Sequence, residues 1–150
     1  MRRDAFALAH TLRVRWAEVD MQKVVFNGNY LTYFDVAIAE YWRALAQSAS
    51  RDFADEYMNL YAVKATVEFH ASAHYDELID VCCRVARIGR SSMGFVFGIW
   101  RGDEHLISGE LAYVYVDPEA GKSAPVPQPM RDAMISFERV KPDLGSGSPR

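Results

Sequence analysis

The chain has 150 residues, 50% of them hydrophobic, and a formal net charge of -3. That length fits one domain with a real core, and the slight acidic balance excludes a protein that holds a nucleic-acid backbone through bulk positive charge. Arg2 and Arg3 are followed by Asp4 and a short apolar run that His10 and Arg13 end, which is neither a secretory leader nor a membrane span, so the expected compartment is the cytoplasm.

In chain order, Leu12, Val14 and Trp16 alternate with Arg13 and Arg15, the period of a strand with one buried face. The stretch from Asp20 to Tyr30 then brings a carboxylate, a turn and a helix start together. A helix start presents unpaired N–H groups at the positive end of its dipole, and these can hold an oxyanion beside an acid. Read locally, the same residues also describe a plain connection in which Asn27 or Asn29 caps the helix and Asp20 is solvated. Between Tyr30 and Ala46, Thr32, Asp35, Glu40 and Arg43 fall in one narrow stripe at the helical period, which predicts a deeply buried helix. A short second helix is expected between Ser50 and Leu60, with Ser50 as its cap.

From Tyr61 the period is two. Tyr61, Val63, Ala65, Val67 and Phe69 form one apolar series, followed by Ile79, Val81, Cys83 and Val85, then Met93, Phe95, Phe97 and Ile99, then Ile107, Leu111, Tyr113 and Tyr115. Hairpin-short links at Gly89-Arg90-Ser91 and Gly102-Asp103-Glu104 make neighbouring strands antiparallel. A meander of this kind must bury one face, and the helix from Tyr30 to Ala46 is the apolar object available to cover it. The fold class is α+β, an antiparallel sheet wrapped around a long central helix. Cys82 and Cys83, adjacent on a strand, point to opposite faces and suit neither a disulfide nor a metal. A last amphipathic helix is expected from Met130 to Val140 after Pro125-Val126-Pro127-Gln128-Pro129. Residues 1–141 read as a single domain, and the Gly/Ser/Pro-rich stretch from Pro142 to Arg150 as a disordered tail.

The order of strand, Asp-bearing turn, buried helix and meander resembles a hotdog-fold thioesterase of the 4-hydroxybenzoyl-CoA and acyl-CoA thioesterase type. The resemblance is carried by Val14-Arg15-Trp16-Ala17-Glu18-Val19-Asp20, by Lys23-Val24-Val25-Phe26-Asn27-Gly28-Asn29-Tyr30, by Tyr33-Phe34-Asp35, and by Glu40-Tyr41. Ala73 to Leu78, Arg87 to Ser92, Tyr113 to Asp117 and Pro125-Val126-Pro127 follow in the family's order. Lys23 stands where that family has Gly, Asn27 where it often has His, and Ser72 where it commonly has Pro. An ammonium at Lys23 paired with Asp20 makes the carboxylate less basic; one facing solvent leaves it available.

The resemblance implies acyl-CoA thioester hydrolysis, with Asp20 as nucleophile or general base and the N–H of Asn27, with that of Gly28, as oxyanion donor. A thiolate is a good leaving group, so one carboxylate and one oxyanion site suffice without a dedicated general acid. It further implies a homodimer or homotetramer in which coenzyme A, part of the substrate rather than a cofactor, crosses the subunit junction. Val25, Phe26, Tyr30, Tyr33 and Phe34 are the expected acyl contacts, and Arg87, Arg90, Ser91 and Ser92 the expected phosphate donors. The alternative is a non-catalytic hotdog module that binds an acyl-CoA or an acyl-carrier partner. Glu40 is a rival carboxylate on the helix. His70 and His74 share a His-x3-His spacing without a helix or a third ligand, so no metal is expected.

Overall fold

A computed structural model describes residues 1–145. Its elements are β1 (Leu8–Arg13), α1 (Asn29–Ala49), α2 (Ala54–Tyr57), β2 (Leu60–Phe69), β3 (Leu78–Ile88), β4 (Ser92–Arg101), β5 (Glu104–Tyr115) and α3 (Gln128–Phe137). All strand pairs are antiparallel, in the order β1-β3-β4-β5-β2. The five-stranded sheet folds around α1, the hotdog architecture.

The helix turns a continuous stripe inward: Tyr30, Tyr33, Phe34, Ala37, Tyr41 and Leu45 are buried at spacings of three and four. They meet Ile79, Val81, Cys83 and Val85 of β3, Phe95, Phe97 and Ile99 of β4, and Ile107 and Leu111 of β5. Each large side chain so buried contributes on the order of 2 kcal/mol. Phe34 stacks on Phe97 with centroids 4.3 Å apart. This close approach depends on Gly109, where a Cβ would lie 2.5 Å from the Phe34 ring. Cys83 belongs to this core, whereas Cys82 packs with Phe6 and Trp100 on the other face of the sheet. Both thiols are free, as their opposed directions require.

Several local expectations are corrected. The first strand stops at Arg13, and Trp16–Glu18 is a 3₁₀ turn that leaves Trp16 63% exposed, because Glu18 folds back onto the Arg15 amide. Ser50 caps no second helix; it closes α1 in the left-handed conformation, φ 53. The apolar series of β2 is largely unburied within the chain: this edge strand packs Val67 partly on the core and leaves Tyr61, Val63 and Phe69 more than half exposed. Ordered structure also runs past residue 141. Pro142 is buried, the Asp143 N–H donates to Ala86 O at 2.9 Å, and the Ile88 N–H donates to Asp143 O at 2.9 Å, beside the β3 bulge. The remainder of the expected tail, residues 146–150, lies outside the described residues.

Candidate active site

The segment after the 3₁₀ turn doubles back as a tight loop. Val19 bridges Val25, the Asp20 N–H donates to Val24 O (2.9 Å), and the Lys23 N–H donates to Asp20 O (2.9 Å). Asp20 Oδ1 accepts the Gln22 N–H at 2.8 Å, which orients the half-buried carboxylate. Lys23 has φ 64, so the position that the family gives to Gly is one where the backbone turns left-handed, and a lysine there is strained by about 1 kcal/mol. Among the described residues, Lys23 and Asp20 form no ion pair.

The loop leads straight into α1. The Asn29 N–H donates to Phe26 O (2.8 Å), the Tyr30 N–H to Asn27 O (3.4 Å) and the Leu31 N–H to Gly28 O (3.3 Å). The amides of Asn27 and Gly28 have no acceptor among the described residues, and both residues are exposed. Gly28 is the N-cap, without a side-chain cap bond. Asn29 is not a cap either, since its Nδ2 donates back to Glu18 O at 2.8 Å. The plain capped connection therefore gives way to two open donors at the positive end of a long helix.

A second loop supports the first. The Val25 N–H donates to Ala73 O (2.9 Å) and the Tyr75 N–H to Lys23 O (3.1 Å), while the Ala73 N–H donates to the Tyr30 hydroxyl (3.1 Å). Burial pushes the Tyr30 phenol up; the Ala73 bond and Arg101 oppose this, and the charges of Glu77 and Asp20 add to it. Asp20 thus lies within electrostatic reach of the first core tyrosine of α1. Burial disfavours the charge on Glu77, yet the His74 N–H and the Arg101 guanidinium hold its carboxyl below the usual range.

The expected residues do not all meet. Asp20, Val25, Phe26, Asn27 and Gly28 share one end of the sheet. Tyr30, Tyr33 and Phe34 are 2%, 2% and 0% exposed and belong to the core rather than to a cavity wall. The cavity that α1 does offer, of about 680 Å³, lies further along it, against Asp35, Ile38, Trp42, Tyr57, Leu60 and Tyr113. These helix positions continue the exposed stripe of Gly28, Leu31 and Thr32, so one helix face runs from the open amides into the cavity. Burial, and then the charge of Asp35, push the Tyr113 phenol up to about 12, so it remains a hydrogen-bond donor there.

Arg87, Arg90, Ser91 and Ser92 sit at the opposite end, beyond the length of β3, about 30 Å away in the same chain. Arg87 Nη1 donates to Ser92 Oγ at 3.1 Å, Arg90 is exposed, and Ser91 is buried. Arg131 of α3 holds this turn through Gly89 O at 2.6 Å, a residue that the sequence pattern does not single out. Glu40 pairs with Arg43 well along α1, away from the open amides. His70 contacts Ser108 and His74 contacts Glu77, and no cluster of three or more metal-ligating side chains occurs among the described residues.

A family model described as the thioesterase superfamily matches residues 22–108, more than half of the chain. The chain belongs to the thioesterase superfamily. The matched span takes in Asn27 and Gly28 and starts just after Asp20. A thioesterase from Thermus thermophilus, solved in complex with coenzyme A and Zn, superposes with a TM-score of 0.78 at 21% identity, covering 90% of this chain and 96% of that one. A 1,4-dihydroxy-2-naphthoyl-CoA thioesterase from Synechocystis gives 0.70 at 20% identity, over 84% and 93% of the two chains. A protein of Aquifex aeolicus (strain VF5) named "Putative esterase" is 22% identical, over 81% of this chain and 93% of its own. At these identities the structural likeness establishes the hotdog fold, and membership of the superfamily supplies the reaction class, thioester hydrolysis.

Proposed function

We propose that the protein hydrolyses acyl-CoA thioesters to a free acid and coenzyme A. The observation that carries this reading is the pair of open amides, Asn27 and Gly28, on the turn that follows the Asp20 loop. In the reaction, Asp20 or a water that it deprotonates adds to the thioester carbonyl carbon. Negative charge moves to the carbonyl oxygen, the two amides stabilise it, and the C–S bond breaks as the thiolate of coenzyme A leaves. If Asp20 itself attacks, water then hydrolyses the acyl–aspartyl anhydride. One amide donor is worth about 3 kcal/mol in such a transition state.

The same reading makes the active unit a homodimer. β2 is ten residues long, paired on one side only, and carries Tyr61, Val63 and Phe69 exposed. Antiparallel pairing of β2 with its copy buries them and reverses the partner, so that the partner's Leu60 end meets the Phe69 end of this protomer. Phe69 lies against Tyr30 near the open amides (5.8 Å between centroids), while Leu60 pairs with Tyr115 beside the start of β4. The dimer thereby brings the partner's Arg90 and the partner's Ser92 towards a site that is too far from them within one chain. A dimer of dimers is compatible with this arrangement. We assign the protein to the cytoplasm on composition; among the described residues, no helix is long and apolar enough to cross a membrane.

The test is release of free thiol from a panel of short, long and aromatic acyl-CoAs by the purified protein, with its mass in solution measured alongside. Turnover of at least one substrate by a dimer or tetramer is the expected result. Binding of coenzyme A without release of thiol from any substrate would make it the non-catalytic module instead.

A further inference from the structure

Glu18 has no role in the chemistry just described, yet its side chain is only 12% exposed at the edge of the site and is fully engaged. Its Oε1 accepts the Arg15 N–H at 2.7 Å and the Tyr33 hydroxyl at 2.9 Å. Its Oε2 accepts Arg15 Nε at 3.0 Å and Arg15 Nη2 at 2.9 Å. These bonds use the lone pairs of both oxygens, so the carboxylate has none left to take a proton from water or substrate. Its backbone carbonyl accepts the Phe26 N–H at 3.0 Å and Asn29 Nδ2 at 2.8 Å. Phe26 and Asn29 are the residues on either side of Asn27 and Gly28.

We propose that Glu18 is a positioning residue for the oxyanion site: its carboxylate clamps residue 18 between the 3₁₀ turn and Tyr33 of α1, so that its carbonyl pins both flanks of the Asn27–Gly28 pair. The proposal rests on the thioester-hydrolase reading above. Pinning the flanking residues holds the two amides in register while leaving them unpaired, which an oxyanion donor requires before the charge develops. The charge on Glu18 serves the clamp. Burial opposes it, but the Arg15 amide and guanidinium and the Tyr33 hydroxyl hold the carboxyl below its usual range.

Glu18→Ala is expected to lower kcat about tenfold or more while changing the affinity for coenzyme A less than about twofold. Glu18→Gln, which keeps an acceptor for Tyr33 and for the Arg15 amide but loses the guanidinium bonds, should recover part of the loss. In amide proton–nitrogen correlation spectra, the Asn27 and Gly28 resonances should shift in Glu18→Ala, and shift less in Tyr33→Phe and in Glu18→Gln, each of which keeps part of the clamp. A folded Glu18→Ala variant with wild-type kcat overturns the proposal. So does a Glu18→Gln variant whose kcat is as low as that of Glu18→Ala while its Asn27 and Gly28 resonances keep their wild-type positions, because loss of rate with the turn intact marks a proton-transferring carboxylate. If Glu18→Ala does not fold, Tyr33→Phe carries the test, and unmoved resonances with unchanged kcat refute the clamp. Wild-type protein that turns over no acyl-CoA removes the functional reading alone; the resonances still decide whether Glu18 holds the turn.

Discussion

Two glutamates bonded to tyrosines of the inward stripe of α1 each accept a tyrosine hydroxyl and a backbone N–H, yet their pKa values are displaced in opposite directions. Glu18 accepts the hydroxyl of Tyr33 and the Arg15 N–H; Glu138 accepts the hydroxyl of Tyr41 and the Val85 N–H, both at 2.7 Å. The two tyrosines lie two helical turns apart, about 12 Å. At the first position Arg15 adds its guanidinium, and the charged form is favoured. At the second, Glu138 is 2% exposed with Oε1 unpartnered, and burial raises its pKa despite the Val85 and Tyr41 bonds. A tyrosine and one amide therefore do not by themselves fix the direction in which a carboxyl pKa moves. A hydrogen-bonded cation and some contact with water favour the charged form at Glu18, and deeper burial opposes it at Glu138. The first cluster flanks the open amides of Asn27 and Gly28, while the second stitches α1, α3 and the β3 bulge together.

The largest effect that separates the two regions concerns rate. Asp20→Asn should lower kcat by about 10³-fold or more with an unchanged melting midpoint, measured by thiol release and thermal unfolding; an active variant would move suspicion to Glu40. Glu138→Ala should do the reverse. It orphans the Tyr41 hydroxyl and the Val85 amide and should destabilise the fold by about 3 kcal/mol in denaturant unfolding, with kcat of the folded fraction within about twofold of wild type. A large loss of turnover at full stability would break the division between site and core.

A subtler contrast lies in pH. Glu138 has a folded pKa above its unfolded value, so its stabilisation is complete below the ordinary glutamate range and is lost as pH rises through the raised value. Glu18 has a folded pKa below its unfolded value, so its stabilisation is present above the ordinary range and is lost as pH falls through the lowered value. Unfolding free energies measured across the acid range should therefore diverge from wild type in opposite directions: Glu138→Gln gains relative stability as pH rises, and Glu18→Gln loses it. Matching profiles would mean that the two carboxyl pKa values are not displaced in opposite directions. The smallest effect is at Lys23. Lys23→Gly should raise stability by about 1 kcal/mol by relieving the left-handed backbone, read as a shift in the denaturant midpoint without change in its slope.

Much of the fold is legible in the chain because periodicity records burial. The inward stripe of α1 and the alternation in β3, β4 and β5 survive in the structure nearly as the pattern predicts. β2 misleads: its apolar series alternates as a buried strand does, yet on this edge strand only Val67 is partly buried, while Tyr61, Val63 and Phe69 stay more than half exposed. The Asp20 loop and the helix start are legible as a local motif. Glu18 and Glu138 are not, because their meaning lies in partners distant in sequence, Tyr33 and Asn29 for one, Tyr41 and Val85 for the other. A signal for Glu18 is present in the spacing from Arg15, where a glutamate three residues on can fold back to an open amide, as it does here. Tyr30, Tyr33 and Phe34 pass for pocket walls in the sequence because an aromatic residue near a site suits either a wall or a core; the stacking of Phe34 on Phe97 makes it core.

The sequence by itself determined the fold class, the inward face of the central helix and the placement of a carboxylate ahead of a helix start, since each depends on spacing along one chain. Only the tertiary structure decided that Asn27 and Gly28 keep their amides open, that Lys23 sits left-handed without pairing to Asp20, and that the Arg87–Ser92 turn lies at the far end of the sheet. Those are matters of which distant groups meet, and hydrogen bonds and ion pairs are satisfied in space rather than along the chain.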